Sequence, residues 1–490
     1  MALVALELPA GIYNHGTELD SSGRWIDGNF IRWQNGSVRP IGGWTLRKSS
    51  ATASAPRGMV AWIDHSSVTH IAVGTHNKLH ALNQGSVVQD ITPTSFTAGS
   101  VDAPANYGFG GLTYGNDAYG APRDAAVPTP VTTWSLDTFG QNLVACSSSD
   151  GKIYEWSLSS SAVAQVLSNA PTGNNAIMVT DERFVFALAS GGNPQKVNWS
   201  DRENNNLWAA SSTNQAGDIE LQTSGEIMCG LRVKGSALIL TTLDAHAATY
   251  AGPPYVYSFE RVGSSCGVIS AKSAISVDQG AFWMGTGSFF QYNGNAVQEM
   301  PCDVSDYVFT DINQAQRSKV CAIHNSQFGE VWWFYPSNDS NENNRYVVYD
   351  YKEGHWNIGS LERTAGVDLG AFRSPLWFDP SGNLYNHEFG YKHDSAPFLE
   401  SGPITMGSGE NIMKVNEIIP DEKTQGQVSL TFKTRFYPNG DETSHGPFTL
   451  ANPTGARFQG RQVRLLINGS ELNNWRAGKM RLNVIEGGRR

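Results

Sequence analysis

The sequence predicts an all-β protein: a degenerate β-propeller of six to seven blades, joined to a small antiparallel β-domain formed by the terminal segments. Three observations carry this reading. Glycine makes up 51 of 490 residues, above the usual ~7%, while charged residues are only 16% against the usual ~25%. Many turns, 11% aromatics and few charges describe short strands joined tightly, and helical periodicity is hard to find. A turn–strand–turn–strand unit recurs along the middle of the chain, and both ends alternate with period two.

The N-terminal segment, 1–50, is rich in arginine and tryptophan. Its stretch GRWIDGNFIRWQNGSVRPIGGW (23–44) places Asn35-Gly36 between two short alternating runs. Asn-Gly is the strongest short hairpin signal, because a type I′ turn needs positive φ at both central residues. The segment therefore predicts a tight hairpin with an aromatic face. Arg24, Arg32 and Arg39 have the chemistry to clamp a carboxylate, a phosphate or a neighbouring subunit. The alternative is that Trp25, Trp33 and Trp44 form a small-sheet core beside solvated arginines.

The propeller is expected over 51–402. The recurring unit is a turn of Asp, Asn, Gly or Ser, a short hydrophobic strand, a second turn, and a strand ending in aromatics. It occurs at 69–85, 139–157, 277–295, 328–356 and 374–390, with noisier copies at 181–201 and 235–260. These pairs are expected to be the inner and outer strands of a four-stranded blade. Each meander alone would expose an apolar face, and stacking in a ring buries it and leaves few edges. A pair of β-sandwiches is the competing architecture.

Within this array, 103–130 is a Gly/Tyr/Pro-rich insertion without strand pattern, the kind of long loop that is functional or flexible. Its Tyr107, Tyr114 and Tyr119 are suited either to stack on a sugar or base, or to pin the loop to the propeller or to a subunit; Arg123 follows them. After it, 403–490 reads as a small antiparallel domain, with alternating runs VSLTFKTRFY, RQVRLLI and KMRLNVIE.

Net charge is −10, which argues against a protein that simply coats nucleic acid. The last forty residues nevertheless carry +6, leaving −16 on the preceding 450. A basic end on an acidic body suggests docking to an acidic surface; a solvated tail has the same composition. Five widely spaced cysteines without C-x-x-C pairing are expected to be reduced and buried. The first residues lack a basic n-region, and no apolar window is long enough to span a membrane, so a soluble protein made in a cytoplasm is expected.

No catalytic signature stands out. A P-loop, a G-x-S-x-G elbow and H-E-x-x-H are all missing, and Gly108–Gly111 does not open a helix after a strand. Asp339, Asn341, Asn343 and Asp350 echo a calcium loop, but Asn344 stands where the loop needs glycine. Ser148–Gly151 lacks the spacer of an aspartate box. His65, His70, His76 and His80 sit on a predicted hairpin that does not give ligand geometry. Asp181, Glu182, Asp201 and Glu203 offer no defined glycosidase pair. No enzyme activity, cofactor or metal is expected.

The segments LPAGIYNHGTELDSSGRWIDGNFIRWQNGSVRPIGGW, YGFGGLTYGNDAYGAPR and NNWRAGKMRLNVIEGGRR resemble those of tail nozzle proteins (tubular tail protein B) of short-tailed bacteriophages. The resemblance covers about a quarter of the chain. It implies a virion protein assembled in the bacterial cytoplasm, a hexameric ring extending the tail below head-to-tail adaptor proteins. Such a ring conducts double-stranded DNA outward and offers a surface to tail fibres or a tip protein. On that reading the leader residues, the insertion residues, and Arg461, Arg464, Trp475, Arg476 and Arg481 are subunit contacts. Two readings remain beside it: a carbohydrate-binding or depolymerising propeller, and a peptide-binding scaffold.

Overall fold

The computed structural model describes residues 2–84, 86–103, 130–278, 280–405, 409–450 and 454–488. Seven four-stranded antiparallel sheets follow one another as blades. Blade 1 is Met59–Ile63, Thr69–Gly74, Leu79–Asn83 and Val87–Asp90. Blades 2 to 6 repeat the meander over 134–166, 176–220, 227–263, 274–300 and 321–360. The innermost strand of each blade neighbours that of the next, and Ala365–Val367 of blade 7 returns to Met59–Ile63, so the ring is closed.

All seven recurring stretches fall on blades, but not on the strands expected. The copy at 69–85 spans Thr69–Gly74 and Leu79–Asn83, and that at 328–356 spans Glu330–Tyr335 and Arg345–Asp350. These are the two middle strands, not the inner and outer ones. Middle strands are paired on both edges and covered on both faces, so they are the most apolar and give the strongest signal.

Blade 6 shows the packing rule. Its strand EVWWFY (Glu330–Tyr335) is buried at every position. Side chains alternate across a strand, so Val331, Trp333 and Tyr335 join one core cluster, and Trp332 and Phe334 join another with Trp377 of blade 7. A continuous apolar run is what a sheet stacked on both faces requires.

Blade 7 is assembled from both ends of the ring. Ala365–Val367, Leu376–Phe378 and Leu384–His387 are completed by Trp44–Lys48, in the register His387 to Trp44 and Leu384 to Lys48. The 1–50 segment, expected outside the propeller as part of the terminal β-domain, thus supplies the ring's closing strand.

The remaining strands form a two-sheet sandwich. One sheet runs Ala2–Ala5, Arg481–Glu486, Met413–Ile419, Thr454–Gly460. The other runs Trp25–Asn29, Phe398–Ser401, Gln462–Gly469, Val428–Arg435, Thr443–Thr449, with Ile404–Thr405 also on Gln462–Gly469. Phe398–Ser401, placed by sequence at the end of the propeller, therefore belongs to the sandwich. Val415, Leu482 and Phe458 of one sheet share a core with Leu430, Phe432 and Leu465 of the other.

The hairpin Ile31–Gln34 and Ser37–Pro40 lies between the two bodies. Asn35 and Gly36 have φ of 51° and 74°, the I′ pattern the dipeptide encodes. Val38 and Ala477 exchange backbone hydrogen bonds at 3.0 Å, tying the hairpin to the last strands. On its other side, Trp25–Asn29 runs beside the outer strand of blade 6, where the Ser360 amide donates to Asn29 Oδ1 (3.0 Å).

Candidate assembly site

Arg32 is the centre of the seam between sandwich, hairpin and ring. It is 2% exposed. Its Nε and Nη2 donate to the two oxygens of Glu330, each at 2.7 Å. Its Nη1 and Nη2 donate to Glu388 at 3.0 and 2.6 Å. Asn325 Nδ2 donates to Glu388 (2.9 Å), Trp332 Nε1 to Glu330 (3.0 Å) and the Gly42 amide to Glu388 (2.9 Å). The guanidinium also lies 3.5 Å from the Phe328 ring centroid.

One hairpin residue thus grips blade 6 through Glu330 and the exit of blade 7 through Glu388. A planar fork is the group that can hold two carboxylates at once. Burial works against the charge of Arg32, and Glu330 and Glu388 overcome it, holding the guanidinium above its ordinary value. Glu330 is pushed up by burial, with Arg32 opposing. The local backbone is shaped to this contact: Glu388 has φ of 55°, and a Cβ on Gly42 would sit 2.2 Å from its Oε2.

Around the node, Trp44 stacks on His387 (5.6 Å) and meets Phe30 edge-on (5.2 Å). His387 lies 3.9 Å from Trp377 and accepts from Arg363 Nε at 2.9 Å. Trp33 meets His355 edge-on at 5.4 Å.

The residues expected at a subunit contact separate accordingly. Trp25, Arg32, Trp33, Trp44 and Trp475 are buried inside this chain, which corrects the expectation that they face a neighbour. Their apolar area and charge are already satisfied by closing the ring and seating the sandwich. Arg24 pairs with Asp303 (3.0 Å), and Arg464 with Glu400 (2.6 Å) and Glu442 (3.0 Å). Half-buried Arg39 donates to Gln34, and Arg461 lies over Tyr437 at 5.3 Å. Half-buried Arg476 and exposed Arg481 face solvent at the sandwich. Tyr107, Tyr114, Tyr119 and Arg123 lie outside the described residues.

The flanks of that insertion are fixed. Gln316 exchanges hydrogen bonds with the Ala103 backbone (3.1 and 2.7 Å), and the Val131 amide donates to Ser318 (3.2 Å). Buried Lys319 pairs with Asp102 and with Glu342 (2.8 Å), and Arg57 Nη2 holds Glu342 at 2.6 and 2.7 Å. Asn343, once a calcium-loop candidate, instead donates to the carbonyls of Lys319 (2.9 Å) and Arg363 (3.2 Å). Asp350 caps the following turn through the Lys352 and Glu353 amides. Among the described residues no group of three or more His, Cys, Asp or Glu is placed to hold a metal ion. The described helices include none long and apolar enough to cross a membrane.

The carboxylates of the node escaped sequence reasoning, although Glu330, a lone charge opening a fully apolar strand, was a visible signal.

No family model matches the sequence, and the search of curated proteins finds no match. Solved structures similar to it include virginiamycin B lyase from Staphylococcus aureus, at 7% identity and TM-score 0.39, over 70% of this chain and 98% of that one. The WD40 β-propeller domain of Doa1 aligns at 8% and 0.38, over 71% and 96%. YCF48 bound to D1 peptide aligns at 9% and 0.39, over 71% and 99%. Function has to be argued from the chain itself.

Proposed function

We propose that the chain is a structural subunit of a bacteriophage tail nozzle, assembling as a hexameric ring in the virion, and not an enzyme. The observation that carries the proposal is a basic face on the sandwich of an otherwise acidic chain. The solvent face of the outer sandwich sheet presents Lys414, Arg457 and Arg481, all exposed, in a chain of net charge −10. A basic face on one copy meeting the acidic body of the next is a head-to-tail contact, and such contacts close into a ring when the rotation per subunit divides a full turn. The Arg32 seam supports this, because a ring transmits one rotation per subunit only if its two bodies are rigidly joined.

The ring's lumen, not the propeller axis, is the route for double-stranded DNA: the axial cavity holds about 410 Å³, the size of a small-molecule site. The remaining acidic surface suits a lumen that does not hold phosphate. Adaptor proteins would meet one face of the ring, and tail fibres or a tip protein the other. The depolymerase alternative needs paired buried acids beside tryptophan in an open cleft. Among the described residues, Glu330 and Glu388 lie buried beside Trp332, but Arg32 bridges them.

Negative-stain imaging and mass photometry of the purified chain test the reading. Six-fold rings are expected, and Arg457→Glu with Arg481→Glu should reduce them to monomers without unfolding. A wild-type monomer at every concentration, or one that cleaves a polysaccharide, would sink the proposal.

A further inference from the structure

The outer sheet of the sandwich begins with Ala2–Ala5 and ends with Thr454–Gly460, and among the described residues each pairs on one side only. Unpaired edges invite pairing with another chain, and proteins blunt them with charges, prolines, bulges or a covering segment. The second sheet is guarded at both ends. Trp25–Asn29 runs beside blade 6, and its Trp25 carbonyl takes the Tyr13 amide (2.7 Å). Thr443–Thr449 contains Pro447, which has no N–H, and its pairing slips register there.

Ala2–Ala5 has none of these guards. Its sequence ALVA holds no charge and no proline, and it pairs with Arg481–Glu486 without a bulge. Leu3 and Val4 are 54% and 43% exposed. Adjacent residues point to opposite faces, so the strand shows apolar surface on both. At the other edge, Thr454–Gly460 is irregular at its start, but 458–460 pairs evenly with 413–415. Beside that even part lies a cleft of about 470 Å³ walled by strands of both sheets. Phe436, His445 and Phe458 line it, together with the exposed Lys414, Arg457 and Gln459.

Strand polarity says what fits this edge. Four strands, each antiparallel to the last, leave Ala2–Ala5 and Thr454–Gly460 running in opposite directions. A second copy related by rotation about an axis along the strands therefore presents its Ala2–Ala5 antiparallel to Thr454–Gly460. The faces agree as well, because cross-strand partners share a face. Val4 pairs with buried Leu482, so it points inward as Phe458 does; Leu3 pairs with half-buried Asn483, on the solvent side with Gln459. Setting Val4 beside Phe458 sets Leu3 beside Gln459.

We propose that Ala2–Ala5 of one copy adds as a fifth strand to Thr454–Gly460 of the next, with its Val4 in the cleft beside Phe436 and Phe458. This names a joint of the head-to-tail ring proposed above and rests on that reading. Four residues of ladder are too small an interface to hold two copies alone. The strand therefore fixes the register, and the basic face next to it supplies further contact.

Mass photometry of the full-length chain tests the joint. Val4→Asp should raise the concentration needed for half-assembly about tenfold or more, because it carries a charge into an apolar cleft. The dilute variant should keep wild-type melting and circular dichroism, since Val4 is already exposed in the single chain. Val4→Ile should assemble as the wild type does. Leu3→Cys combined with Gln459→Cys should link chains into a ladder on a non-reducing gel, as directly opposite residues bring Cβ atoms to about 4.5–5.5 Å. Neither single cysteine variant should link. Rings that persist unchanged in Val4→Asp, or that form in the double-cysteine variant without linking, overturn the joint and leave the ring standing. A wild-type chain that stays monomeric overturns both.

Discussion

Blade 3 and blade 7 are built to the same four-stranded plan, yet they are held by different physics. Blade 3 is one continuous meander, Ala176–Val179 to Gly217–Glu220, packed by Phe184, Phe186 and Trp199. Local connection makes its closure entropy small, and apolar burial suffices. Blade 7 joins Leu384–His387 to Trp44–Lys48, strands from opposite ends of the ring. There the structure adds a buried guanidinium, two carboxylates and a set of histidines. Burial alone is non-directional; a fork that must meet two acids fixes which strand closes the ring.

The largest test of that contrast is Arg32→Met. It leaves Glu330 and Glu388 buried without their counter-charge, and breaking a buried ion pair in this way costs about 3–5 kcal/mol. Amide hydrogen exchange should show protection lost first over Trp44–Lys48 and Ile31–Pro40, with blade 3 protected as before. Arg32→Met combined with Glu330→Gln and Glu388→Gln should recover most of the loss. If the single variant melts blade 3 equally, the seam is not a separate element of stability.

Acidification should separate the two blades more gently. His355, His387 and His393 are buried at the seam and held below the ordinary imidazole value, each chiefly by burial, with Arg363 adding to the effect at His387. A histidine whose folded value is lowered stays neutral in the native state, while the unfolded chain takes a proton below about pH 6.5. The unfolded state then binds more protons, so stability falls as pH drops below about 6.5. Blade 3 contains no histidine. Exchange at pH 5 against pH 7 should therefore open the Trp44–Lys48 closure before Ala176–Val179; the reverse order would remove the histidines from the account.

What sequence reasoning reached, and what it missed, follows the same division. The repeated stretches were legible because each middle-strand hairpin is local and apolar on both faces. The Asn35-Gly36 turn was legible because its φ requirement belongs to two adjacent residues. Blade 7's last strand was not, since WTLRK after Gly42-Gly43 looks like any short alternating run until His387 is known to lie beside Trp44. Nor could composition tell whether Trp33 packs on its own chain or on a neighbour, because interfaces and cores enrich the same residues. Arg32 and Arg39 look alike in sequence, and only Glu330 and Glu388, 298 and 356 residues beyond Arg32, distinguish them.

The smallest effect is expected at the turn of the hairpin itself. Asn35 sits at φ of 51°, a conformation that costs most L-residues about 1–2 kcal/mol and Asn less. Asn35→Ala should therefore destabilise by about 1 kcal/mol, and Asn35→Gly should be near neutral. The loss should stay local, because Val38 remains bonded to Ala477 and Trp33 remains in the core. Hydrogen exchange at Gly36 and Ser37, read beside the melting midpoint, measures both. An alanine variant as stable as the wild type would mean that Arg32 and the tryptophans set the hairpin's register by themselves, and that the seam needs no help from local turn chemistry.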